Sequence, residues 1–204
     1  AWIDPETEQI TPAFQEQDLF ENPLKWGYGF INMAGNLVFD AHDRYFEVDH
    51  KDLNITTFAP EIESADPLYY LLQDEFGRYW FVSKNGFGYL NNDIREIALF
   101  FPLDENNFPA DEVNAINVDD SGNAWLATSN GIVKFDPITG EYTHFGFERG
   151  LQGNYFRGQL TYKSPSGKIY FAGNAGLNII DPDKIKINPY PPDMLFTGLK
   201  LDGI

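Results

Sequence analysis

The sequence predicts an all-β fold assembled from repeated four-stranded blades, and three observations carry that prediction. The first is internal repetition. LLQDEFGRYWFVSKNGFGYL from Leu71, INVDDSGNAWLATSNGIVKFDP from Ile116 and TYKSPSGKIYFAGNAGLNIIDP from Thr161 align with starts 45 residues apart, the signature of a repeat architecture. The second is a set of markers in phase with that period. A turn glycine (Gly77, Gly122, Gly167) is followed three residues later by an aromatic (Trp80, Trp125, Tyr170) and nine residues later by a second glycine (Gly86, Gly131, Gly176). The third is composition: 18 Phe, 11 Tyr and 4 Trp are interleaved with 18 Gly and 13 Pro over 204 residues, the profile of many short strands joined by tight turns.

The elements follow from the period in chain order. WIDPETEQI places Asp4 45 residues before Asp49, so residues 1–20 read as a half blade that holds only its last two strands. In the blade at about 21–60, VDHKDLNITTF from Val48 aligns without gaps on FDPITGEYTHF from Phe135. Gly35 precedes Asp49 there by the same 14 residues that separate Gly122 from Asp136. Blades at about 61–105, 106–150 and 151–187 carry the clear copies. Residues 188–204, with Met194 to Leu201 at their centre, read as a closing strand or as the start of a further immunoglobulin-like domain.

The cleanest copy shows the local causes. Strands are expected at 113–118, 124–128, 132–136 and 141–145, separated by DDSG, SNG and DPITG turns. Gly122 and Gly131 read as positions that need positive φ, Pro137 presets a turn φ, and the carboxylates of Asp119 and Asp136 stand where they can accept backbone N–H groups just downstream. Four such strands make one antiparallel blade of a β-propeller. The aromatic on the second strand (Trp80, Trp125, Tyr170) is expected to be buried between neighbouring blades. Four fairly complete blades and a half blade read as a partial propeller, or as a small one whose half blade is completed by the C-terminal strand.

At these residues DDSGNAWLATSNGIVKFDP resembles the two-component regulator propeller repeat, with its acidic turn, Gly-Asn, Trp, small residues, Asn-Gly, aliphatic, aromatic and Asp-Pro. The resemblance is close over Leu68 to Asp183 and loose over Ala1 to Pro60. Val38 stands in place of the Trp, Arg44 in place of the second Gly, and Asn91 in place of the Asp of Asp-Pro. The stretch from Gly150 through NPYPPDMLFTGLKL is similar to the last propeller repeat of the periplasmic sensor region of Bacteroidetes-type hybrid two-component system histidine kinases. That resemblance implies a periplasmic or extracellular ligand-sensing segment, glycan-responsive, with homodimerisation through flanking domains and a histidine kinase in the intact protein. A scaffold propeller of a cell-surface or secretion complex is the alternative. A propeller lyase is a third reading, and it needs a convergent acid and base in the channel.

Charge and missing residue types narrow the field. Thirty-one Asp and Glu against 14 Lys and Arg give a net charge of −17, which repels phosphate backbones and anionic headgroups. Nucleic acid and direct membrane contact are therefore not expected. The absence of Cys excludes disulfides, Cys-ligated zinc and thiol catalysis. No apolar run reaches the roughly 20 residues that span a bilayer, and Ala1 reads as a processing boundary. The DDSGN loop (Asp119, Asp120, Asn123) lacks the alternating acids of a calcium loop and reads as a hairpin turn. His42, His50 and His144 have no metal-ligand spacing, and GNAGL from Gly173 lies between two strands with no helix to meet a phosphate. No catalytic residue, cofactor or metal is expected, and the segment is not read as an enzyme.

Topology indicates a binding face. In a propeller the first strand of each blade lines the channel, so the loop leading into it shares one end with the loop between the second and third strands. Trp26 and Tyr28, Tyr69, Asn114 and the run Asn154 to Arg157 lie in the lead-in positions; His42, Asn85, Asn130 and Asn174 lie in the others. The candidate site is Trp26, Tyr69, Asn114, Tyr155 and Arg157. Aromatics beside an amide and one Arg suit an oligosaccharide or another polar ligand, although an Asn before Gly also serves a tight turn.

Overall fold

The computed structural model describes residues 2–3, 10–11, 26–41, 44–58, 68–91, 97–103, 108–156 and 160–185. These form antiparallel sheets in which consecutive strands are neighbours. β1 (Trp2–Ile3) pairs with β2 (Ile10–Thr11). The first blade holds β3 (Trp26–Ile31), β4 (Leu37–Ala41), β5 (Arg44–Val48) and β6 (Ile55–Phe58). The second holds β7 (Leu68–Gln73), β8 (Tyr79–Ser83), β9 (Gly86–Leu90) and β10 (Ile97–Pro102), and the third β11 (Val113–Val118), β12 (Ala124–Thr128), β13 (Gly131–Phe135) and β14 (Tyr142–Phe145). The fourth shows three strands among the described residues: β15 (Thr161–Lys163), β16 (Ile169–Gly173) and β17 (Gly176–Ile180). Two short 3-10 turns, Phe147–Arg149 and Pro182–Lys184, are the only helical pieces described. The all-β blade fold is as the sequence predicts, and the strands of the cleanest copy fall within a residue of their expected limits. A fourth strand for the last blade, and residues 188–204, lie outside the described residues.

The turns close as the residue types dictate. Asp119 Oδ1 accepts the backbone N–H groups of Ser121 (3.0 Å) and Asn123 (2.9 Å), and Asp136 Oδ1 accepts that of Ile138 (2.8 Å). Gly131 has φ 94°, and a Cβ there would collide with the Phe145 carbonyl oxygen of the adjacent strand. Only glycine meets both demands.

Each blade has a presenting face and a receiving face, and the core lies where they meet. Val38 and Tyr45 of the first blade pack on Leu71, Tyr79, Phe81 and Leu90 of the second. Trp80, Val82 and Phe87 of the second pack on Ile116, Val118, Leu126 and Phe135 of the third. Ala115, Trp125, Ala127 and Ile132 of the third pack on Phe156, Ile169, Phe171 and Ile180 of the fourth. Both Trp side chains are fully buried, as expected. Each buried indole donates its Nε1–H to the acidic turn six residues upstream, Trp80 to Asp74 Oδ2 (2.8 Å) and Trp125 to Asp119 Oδ2 (2.9 Å). The two blades without this Trp lack the Asp as well, carrying Asn32 with Val38 and Ser164 with Tyr170.

Tyr170 departs from the expectation, being only partly buried. Its sheet is the last described, and the presenting face of β15–β17 has no described blade against it. Leu160, Tyr162, Leu177 and Ile179 on that face are all about half exposed or more. Leu177 is 49% exposed, whereas Ile132, one period earlier, is 0%.

Candidate functional site

The first strands of the second, third and fourth blades are neighbours, β11 touching both β7 and β15, and the two ends of these strands define two ends of the blades. At the lead-in end the same irregularity recurs in three blades. The ladder slips between Trp26 and Gly29, between Leu68 and Tyr70, and between Val113 and Ala115. The backbone of Tyr69 and that of Asn114 are thus left out of the register at equivalent positions, as at a β-bulge. The backbone of Trp26 is on β3 and that of Tyr69 on β7, while their side chains lie outside what is described. Arg157 and His42 are outside the described residues.

The structure does bring Asn114 and the segment bearing Tyr155 together. Asn114 Nδ2 donates to the Phe156 carbonyl oxygen (2.8 Å), and Phe156 N–H donates to Thr128 O (3.1 Å). Asn154 accepts the Gly131 N–H through its carbonyl and the Phe147 N–H through Oδ1. The lead-in to the fourth blade is therefore clamped onto the third. Asn114 spends its amide donor on that clamp, a role set by a contact 42 residues away that spacing alone does not reveal. Asn130 likewise donates to Pro109 O (2.9 Å). His144 Nε2 meets Asn130 O and His50 Nδ1 meets Asn36 Oδ1 (3.0 Å), so neither belongs to a metal cluster among the described residues.

At the opposite end, formed by the hairpins after β7, β11 and β15, lies a cleft of about 450 Å³ that sequence reasoning missed. Gln73, Glu75, Phe76, Asn117, Tyr162 and Lys163 are part of its lining. Lys163 spans three blades, its Nζ donating to Glu75 of the second (3.0 Å) and Asp120 of the third (2.6 Å). Burial alone would lower its pKa, but the hydrogen bonds and charges of Asp120 and Glu75 outweigh that and hold it above the ordinary lysine value. Asn117 Nδ2 donates to Thr161 Oγ1 (3.2 Å), and Arg78, ion-paired with buried Asp74 (2.7 Å), donates to Gly122 O (3.1 Å). At the wall Tyr70 donates its hydroxyl to Ile116 O (3.1 Å), and burial pushes its phenol pKa up. The only sequence signal for this end is the periodic DEFG, DDSG and SPSG turns. Its charges come together only when three blades stack.

Known proteins share this architecture. No protein-family model matches the chain. A histidine kinase P4 of Formosa agariphila is 26% identical over 99 residues, 48% of this chain and 7% of that one. The extracellular domain of a hybrid two-component system of B. thetaiotaomicron superposes with a TM-score of 0.56 at 16% identity, covering 88% of this chain and 30% of that domain. The resemblance read from the repeats leads to the same proteins. The fold also extends to a virginiamycin B lyase of Staphylococcus aureus, with a TM-score of 0.57 and 14% identity over 81% of this chain and 58% of the lyase. The chain spans under a third of the two signalling proteins, and no helix among its described residues is long and apolar enough to cross a membrane.

Proposed function

We propose that these blades are the ligand-sensing part of a periplasmic or extracellular sensor coupled to a histidine kinase, and that the ligand is an oligosaccharide or another polar molecule met at the lead-in end. The observation that carries the reading is the repeated bulge, which sets Tyr69 and Asn114 outside the ladder at equivalent places on successive blades. The Asn154 to Phe156 segment, which carries Tyr155, is held to the third blade at that end, and this supports counting Tyr155 with them. Similarity to a histidine kinase and to the extracellular domain of a hybrid two-component system supports the signalling role. In this reading the segment senses and does not catalyse, and it pairs with a second copy through flanking domains. The test is a binding screen of the chain and of Arg157→Ala against a glycan panel, with a melting curve for each. Loss of affinity without loss of melting temperature places Arg157 at the ligand; full affinity in a variant that melts like the parent removes it.

One observation favours the scaffold alternative. The half-exposed apolar face of β15–β17 suits a protein partner better than a sugar. A parent chain that ignores every glycan but captures a protein through that face, and loses it on Ile179→Glu, supports the scaffold.

A further inference from the structure

We propose that the chain joins copies of itself head to tail, the outer face of β15–β17 docking on the outer face of the first blade of a second copy. The three junctions between consecutive blades are the template. In each, the presenting face of one sheet meets the receiving face of the next, and both faces are set by positions that recur through the chain. On the third blade the presenting face consists of one cross-strand row, Ala115, Ala127 and Ile132, beside another, Asn117, Trp125 and Lys134. On the fourth blade the same rows read Leu160, Ala172 and Leu177, and Tyr162, Tyr170 and Ile179. The fourth-blade version is the more apolar of the two, with Leu for Ala115, Tyr for Asn117 and Ile for Lys134. Contact with water favours the reverse exchange, and a contiguous exposed apolar patch of this kind marks an interaction surface.

The receiving half lies at the other end of the chain. In the third blade Val118, Ala124 and Phe135 form a cross-strand row buried against the second blade. The first blade carries Ile31, Leu37 and Val48 in the same register. Val48 is buried, but Ile31 is 63% exposed where Val118 is 3%, and Leu37 is 40% exposed where Ala124 is 0%. The two faces are open at once in one molecule, so among the described residues they do not meet within it. Each is one half of a junction that the chain builds three times, and a second copy completes it. Such a contact is heterologous: each copy keeps one open face, and association continues beyond the dimer unless the rotation closes a ring.

Sedimentation velocity of the purified chain tests this at about 0.15 M salt, where repulsion between two copies of net charge −17 is screened beyond about 8 Å. A contact of this limited size belongs to the weak class, so the chain is expected to be monomeric at about 1 µM and to form dimers and larger species at about 100 µM and above. Ile179→Glu and Ile31→Glu are each expected to weaken association at least about tenfold. An equimolar mixture of the two variants is expected to associate again but to stop at a 1:1 dimer, because one intact pair of faces remains. Ile138→Glu, at an apolar side chain 92% exposed in the turn after β13, leaves the series as in the parent. A melting curve accompanies each variant. The proposal is overturned if the pure chain stays monomeric at about 300 µM, which leaves the face to a different protein. It is overturned equally if Ile179→Glu abolishes association and Ile31→Glu does not, which makes the contact one between identical faces, or if the mixture fails to associate although both variants melt like the parent. None of these residues is among those proposed to meet a glycan, so the sensing reading stands or falls separately.

Discussion

At the residue scale, Trp125 does two jobs: its ring fills the space between the third and fourth blades, and its indole N–H satisfies Asp119, a carboxylate only 3% exposed. Trp125→Ala should cost about 3 to 5 kcal/mol in urea unfolding, as large aromatic truncations in cores do. Trp125→Phe keeps most of the apolar contact but leaves Asp119 Oδ2 one donor short, and should cost about 1 to 3 kcal/mol for that reason. Equal stability of parent and Trp125→Ala would contradict the inter-blade role. The Trp, the Asp and the turn glycines were legible in the sequence because each answers a local demand that repeats every 45 residues. The amide of Asn114 was not. Its partner, the Phe156 carbonyl, is fixed by how two blades stack, and no local pattern encodes that.

At the scale of elements, strand limits were legible wherever the repeat is clean, and the fourth blade shows where the pattern stops being enough. Tyr170 has the right place on β16, but burial needs a neighbour as well as a position. The hairpin end likewise emerges only from stacking, because Glu75, Asp120 and Lys163 come from three different blades. Lys163 has a raised pKa in the folded chain, so its bridge stabilises fully below the unfolded lysine value of about 10.4 and is lost as pH rises through the higher folded value. Melting temperatures of parent and Lys163→Met should therefore differ at neutral pH and converge at strongly alkaline pH. A gap that persists unchanged above the folded pKa would show that Lys163 acts through packing of its stem and not through its charge.

At the scale of the whole molecule, one repeat position carries opposite costs depending on what lies against it. Ile132 and Leu177 are equivalent, yet the first is buried against the fourth blade and the second is half exposed. Ile132→Glu buries an unpaired charge and should cost about 4 kcal/mol or more, while Leu177→Glu should stay within about 0.5 kcal/mol in this chain. Comparable losses in chemical denaturation would mean that the outer face of β15–β17 is covered in solution.

The central claim is that the lead-in end of these blades is where a sensor meets its ligand. Its most direct test is a hydrogen-exchange footprint of the chain with the tightest-binding member of a glycan panel. The account predicts slowed exchange at residues 113–115 and 154–156, with the outer strands β6, β10 and β14 unchanged. Protection confined to the outer face of β15–β17, or to the hairpins after β7, β11 and β15, would contradict it.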